Sequence, residues 1–126
     1  QLTKDGDMAS AQTLINLALK EQETEPALRE ALRLAVTMQN FETGVKLAKQ
    51  LVRWVDTAEN NSDLAYCLYR CERLQDAQSA ADDALKLDSN CENALLNRGI
   101  IANAQGDAVT AQRCFEKVTD IDPHNF

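Results

Sequence analysis

Small and apolar residues recur along this chain with a long period. Ala11, Gly44, Ala77 and Ala111 stand 33, 33 and 34 residues apart. Four positions after them come Ile15, Ala48, Ala81 and Phe115, and three further on Ala18, Leu51, Ala84 and Val118. Three positions before them come Met8, Phe41, Leu74 and Ala108. Steps of three and four residues line up one face of an α-helix, so the same amphipathic helix is predicted four times in register. A second helix is predicted ahead of each of the last three copies. Leu28, Leu32 and Ala35 form its inner face within residues 25–38, with Asn61, Ala65 and Leu68, then Leu95, Gly99 and Ala102, at the matching sites. Ala65 and Gly99 are small enough for paired helices to approach closely.

Polar turns punctuate the pattern. The four copies follow Gly6-Asp7, Gln39-Asn40, Glu72-Arg73 and Gly106-Asp107. Gly-Asp ends one helix in the left-handed region and opens the next with an acidic residue. Gln-Asn does so less well, and Glu-Arg, with neither Gly nor Asn, is expected to be the more strained turn. Pro26 suits the first turn of a helix, where its missing N–H costs nothing. Asn60, Asn61 and Ser62 are expected to offer N-cap oxygens, and Asp122-Pro123 to stop the final helix.

This pattern resembles the tetratricopeptide repeat. The last copy, Leu95 to Pro123, matches best, with Leu-Leu-Asn-Arg-Gly-Ile at 95–100, Gln-Gly-Asp at 105–107, Ala111, Phe115 and Asp-Ile-Asp-Pro at 120–123. The middle copy matches through Ala77 and Ala84-Leu85-Lys86-Leu87-Asp88, with Ser89 where Pro is usual and Ala81 where a bulky residue is usual. The first complete copy keeps Asn40-Phe41-Glu42 and the small Gly44, and ends in Arg53-Trp54-Val55-Asp56. The resemblance spans essentially the whole chain, as an orphan second helix over 6–22 and helix pairs over 25–57, 58–91 and 92–126. It implies an all-α fold, an αα-hairpin repeat solenoid wound as a right-handed superhelix of about seven helices. Such hairpins share one elongated core, and the first helix of each pair lines a concave groove.

The resemblance also implies which side chains face that groove. They are Arg29, Arg33, Val36 and Thr37 in the first pair, and Ser62, Tyr66, Tyr69 and Arg70 in the second. The third pair contributes Asn93, Leu96, Asn97, Ile100, Asn103 and Ala104. Arg29, Arg33, Tyr66, Tyr69, Arg70, Asn97 and Asn103 are the expected partner-binding residues. Arg grips a carboxylate with two parallel hydrogen bonds, Tyr offers a rigid apolar face with a polar tip, and Asn can bond an extended backbone. The expected partner is therefore a protein or peptide segment of acidic or mixed character. Chaperone-binding members clamp a C-terminal carboxylate with paired Lys and Asn and a later Lys and Arg. Here Arg29, Arg33, Asp63, Asn93 and Asn97 hold those sites, so the clamp is broken and an Hsp70 or Hsp90 tail is not expected. Trp54 is expected to bury against the following helix pair.

Composition narrows the function classes. Ala occurs 18 times and Leu 16 times, both helix formers. Thirteen basic against 20 acidic residues leave a net charge of −7, which argues against nucleic acid and anionic membrane as partners. No apolar run reaches the length of a membrane span, and the N-terminus lacks the apolar core of a signal peptide. The chain also lacks a start Met and ends at His124-Asn125-Phe126, directly after the last pair, so a longer parent protein is expected. Cys67, Cys71, Cys91 and Cys114 read as small buried or half-buried thiols in a reducing compartment, most simply the cytoplasm. Cys67 and Cys71 share a helix face, but a zinc site needs two further ligands, and the only histidine is His124.

No catalytic constellation, phosphate loop or cofactor motif is present, so neither enzyme activity nor a cofactor is expected. Asp82-Asp83 reads as a solvated outer surface. The chain reads as an adaptor or scaffold. The alternatives are an assembly element, with a homodimer through its uncapped terminal helix, and a chaperone for secreted subunits.

Overall fold

A computed structural model describes residues 4–21 and 24–122. Among these residues the chain forms seven α-helices and no strand. They are α1 (Lys4–Glu21), α2 (Glu25–Thr37), α3 (Phe41–Trp54), α4 (Ala58–Arg70), α5 (Leu74–Leu87), α6 (Glu92–Ala104) and α7 (Ala108–Ile121). Each helix packs against the next, α4 also meets α6, and α1 also meets α3. Hairpins thus pile in a row, with α2, α4 and α6 as the first helices of their pairs. None of the described helices is long and apolar enough to cross a membrane.

The predicted faces are the buried ones. Leu28, Leu32, Ala35, Ala65, Leu68, Leu95 and Ala102 on the first helices are buried, as are Ile15, Ala48, Leu51, Ala77, Ala81, Ala84 and Val118 on the second. A single apolar cluster runs from Ile15 in α1 to Ile101 in α6 and joins these six helices into one core. Glycine lets α3 approach α4 and α6 approach α7. A Cβ on Gly44 would lie 2.9 Å from Cys67 Sγ, and one on Gly99 would lie 2.7 Å from the Phe115 ring.

Three turns obey one design. Gln39, Glu72 and Gly106 adopt left-handed backbone angles, with φ of 59°, 63° and 81°. The next residue, Asn40, Arg73 or Asp107, becomes the N-cap of the following helix. Asn40 and Asp107 accept the amide N–H of Thr43 and Thr110. Arg73 makes no side-chain cap and instead reaches back to Glu42 at 2.8 Å. The strain expected at Glu72-Arg73 is therefore shared by Gln39, a second side chain in a region that suits glycine. The fourth expected turn, Gly6-Asp7, lies inside α1. The helix runs through both residues without a break, from Lys4 to Glu21. Pro26 sits in the first turn of α2. Pro123 and the residues after it lie outside the described residues.

Three further expectations are corrected. Asn60, Asn61 and Ser62 do not cap α4. Thr57 does, accepting the amide of Asn60 at 3.1 Å, which leaves the three polar side chains inside the helix and buried. Trp54 is 54% exposed. It is the last residue of α3, and the extended Val55 leads the chain away before α4 can cover the indole. Asp82 is not merely solvated, because it accepts from Arg98 Nε at 2.9 Å and ties α5 to α6. Asp83 is exposed.

Candidate partner-binding groove

The inner faces of α2, α4 and α6 enclose a cavity of about 430 Å³, lined by Arg29, Leu32, Arg33, Val36, Ser62, Asp63, Tyr66, Asn93 and Asn97. Each helix contributes because residues three and four apart share a face, and Leu32 lies at the boundary between groove and core. Four of the seven expected partner-binding residues, Arg29, Arg33, Tyr66 and Asn97, meet in this cavity. Tyr69 and Arg70 line a separate hollow with Glu72, Leu74 and Ala104. Asn103 lies at the C-terminal face, in a third hollow with Ala108, Phe115 and Glu116. The Arg70–Tyr66 hydrogen bond of 2.8 Å joins the first two of these hollows.

Polar ties between repeats hold the groove in shape. Arg29 Nη2 donates to Asn60 Oδ1 at 2.8 Å, and Asn60 Nδ2 donates to the Val55 carbonyl at 2.7 Å. Asn97 Nδ2 donates to Ser62 Oγ at 2.9 Å and to its carbonyl at 3.0 Å. Asn93 Nδ2 donates to Glu59 at 2.9 Å. Arg70 donates to Tyr66 Oη at 2.8 Å while its guanidinium lies 4.3 Å above the Phe41 ring, a cation–π contact. Phe41 and Tyr66 meet edge to face at 5.9 Å. Tyr66 is thus fixed from two sides.

Both groove arginines are engaged by their own helix. Arg29 Nε donates to Glu25 at 3.1 Å, and Arg33 donates to both Glu30 oxygens. Hydrogen bonding to Arg33 lowers the Glu30 pKa. These are (i, i+4) and (i, i+3) pairs, a spacing legible in the sequence. Asn60 as a link between α2 and α4 was not legible, since that contact spans 31 residues. Asp63 behaves differently. Burial, reinforced by the nearby Glu59 charge, pushes its carboxyl up to about 6, against the weaker opposing pull of Arg29.

All four cysteines are free thiols, with Cys67 and Cys114 buried and Cys71 and Cys91 partly so. Burial pushes Cys67 up to about 12, so it is inert as a nucleophile at neutral pH.

No protein-family model matches the chain, and no curated protein matches it. Solved structures do. YrrB, described as a TPR protein with an unusual peptide-binding site, superposes with a TM-score of 0.82 at 17% identity, over 96% of this chain and 63% of that one. MamA from Desulfovibrio magneticus RS-1 gives a TM-score of 0.81 at 19% identity, over 95% of this chain and 69% of that one. The TPR2B domain of yeast Sti1, solved in complex with pHsp70, gives 0.75 at 16% identity, over 80% of this chain and 82% of that one. Identities this low speak to the fold alone. With hairpins in register every 33 or 34 residues and these structural neighbours, the chain has the tetratricopeptide-repeat fold, an all-α helical repeat solenoid.

Proposed function

We propose that this chain is a non-catalytic protein-interaction module that holds a peptide or helix of a partner protein in the groove of α2, α4 and α6, as an adaptor or scaffold. The observation that carries this reading is the cavity between three consecutive first helices, already braced by Arg29–Asn60, Asn97–Ser62 and Asn93–Glu59 hydrogen bonds. A groove ordered before binding loses less entropy on closing over a ligand. Neighbours of this fold described with a peptide site or in a complex support the same use. A random peptide library selected against the chain tests it. Selected peptides should lose at least fivefold in affinity, by fluorescence anisotropy, on Tyr66→Ala or Asn97→Ala. Peptides that bind these variants as tightly as the parent chain would dismiss the groove.

A second reading, an assembly element, draws on the C-terminal face. There Val109 and Ile121 are exposed on α7, and a hollow of about 520 Å³ opens beside Phe115. Light scattering at several concentrations separates the two, because a strict monomer leaves only the adaptor.

A further inference from the structure

We infer that the groove selects a basic partner segment and seats a Lys or Arg side chain on the Asp63 carboxylate. The inference rests on the groove reading above and adds the chemistry of its occupant.

The arginines make the groove look suited to an acidic ligand, but their charge is already matched. Arg29 is held by Glu25 and Asn60, and Arg33 by Glu30. α4 adds Glu59 and Asp63, while α6 adds only the neutral amides of Asn93 and Asn97. The cavity wall itself carries Arg29, Arg33 and Asp63; counted with the charged groups bonded or nearest to its lining, Glu25, Glu30, Glu59 and Arg70, four carboxylates face three guanidiniums. The excess charge is negative, so the complementary ligand is a cation.

Within that field Asp63 is the acceptor left open. Glu25, Glu30 and Glu59 each accept from a side chain of α2 or α6. No donor among the described residues reaches the Asp63 carboxylate, although it lines the cavity and is largely removed from water. A carboxylate in such surroundings gains more from a charged donor than one in open solvent does. Leu32 and Val36 offer an apolar wall for the aliphatic stem of a long basic side chain. The Tyr66 ring, one turn along α4 from Asp63, also lines the cavity and offers further apolar surface to that stem.

The same geometry makes binding sensitive to protons. The unliganded carboxyl titrates at about 6, so its ionised fraction falls by about tenfold between pH 7.5 and pH 5. Affinity for a cation falls with it.

The experiment selects random dodecapeptides on the whole chain at pH 7.5, then measures the winners by fluorescence anisotropy. Lys or Arg should be enriched at one fixed position. Replacing that residue by norleucine should weaken binding at least tenfold, as should Asp63→Asn. The parent chain should lose about tenfold between pH 7.5 and pH 5, while Asp63→Asn stays flat. Asp83→Asn, at an exposed site on α5, serves as the control and should change nothing. Acidic or uncharged winners that still depend on Tyr66 would overturn the basic preference and leave the groove in place. Winners indifferent to Tyr66→Ala and Asn97→Ala, or no enrichment at all, would overturn the groove itself.

Discussion

Asn60 is the strut between the first two helix pairs, and replacing it with leucine tests how the stack is held. The side chain is fully buried and branches as leucine does in a smaller volume, so both amide bonds vanish and the site must also take in two methyl groups. One lost bond is the 2.7 Å contact to the Val55 carbonyl, and the other is the 2.8 Å bond accepted from Arg29. A neutral bond of this kind contributes about 1 kcal/mol and one from a guanidinium about 2 kcal/mol. Arg29 is part-exposed and can turn to water, whereas the Val55 carbonyl is left with only the 3.1 Å bond it accepts from the Thr57 amide. The added apolar burial offsets about 1 kcal/mol. Asn60→Leu should therefore cost about 2 kcal/mol, read from urea unfolding followed by far-ultraviolet circular dichroism. A cycle with Arg29→Met should show about 1–2 kcal/mol of coupling between the two positions. A loss under about 0.5 kcal/mol, or strict additivity with Arg29→Met, would refute the idea that this bond joins the repeats.

Three other perturbations follow from the packing and the turns. Gly99→Ala should destabilise by about 1–3 kcal/mol despite alanine's better helix propensity, because the new methyl meets the Phe115 ring at 2.7 Å; adding Phe115→Leu should recover part of the loss in the same urea assay. Gln39→Gly and Glu72→Gly should each stabilise by about 0.5–1 kcal/mol, since both positions are left-handed in the fold; a fall in melting temperature would contradict the strain assigned to them. Asp63→Asn should change the pH profile of stability. The folded pKa lies near 6, above the ordinary aspartate value of 3.8, so the folded chain binds the proton more tightly. Parent stability therefore falls as pH rises through that window and is lowest, from this group, above pH 6. After allowance for solvent screening, the Asn variant should be about 1–2 kcal/mol more stable than the parent at pH 7.5 and no more stable at pH 3.5. Thermal melts across that range give the answer.

The repeat was legible because burial follows local spacing. Ala77, Ala81 and Ala84 sit on one face whichever neighbours they meet, and the left-handed sites at Gln39, Glu72 and Gly106 fall where the polar turns fall. What stayed hidden depends on contacts between elements. Asn60 looks like a helix cap until Thr57 is seen to fill that role. Asp82 looks solvated until α6 brings Arg98 beside it, with only 12% of the Arg98 side chain exposed. Arg29 and Arg33 suggested an open anion site, although the glutamates that occupy them lie three and four residues away on the same helix. Position along a first helix also decided more than the groove pattern allowed. Tyr69 and Arg70, on the last turn of α4, line an adjoining hollow that meets the groove at the Arg70–Tyr66 hydrogen bond.

The half-exposed indole of Trp54 has an optical consequence. A ring already bathed in solvent emits nearly as it will in denaturant, so the only tryptophan is an almost silent reporter of unfolding. In an array whose repeats can melt one by one, such a label would scarcely register the loss of α6 and α7. Moving the fluorophore to Phe115, where a ring already packs on Gly99, would place a sensitive dye between α6 and α7.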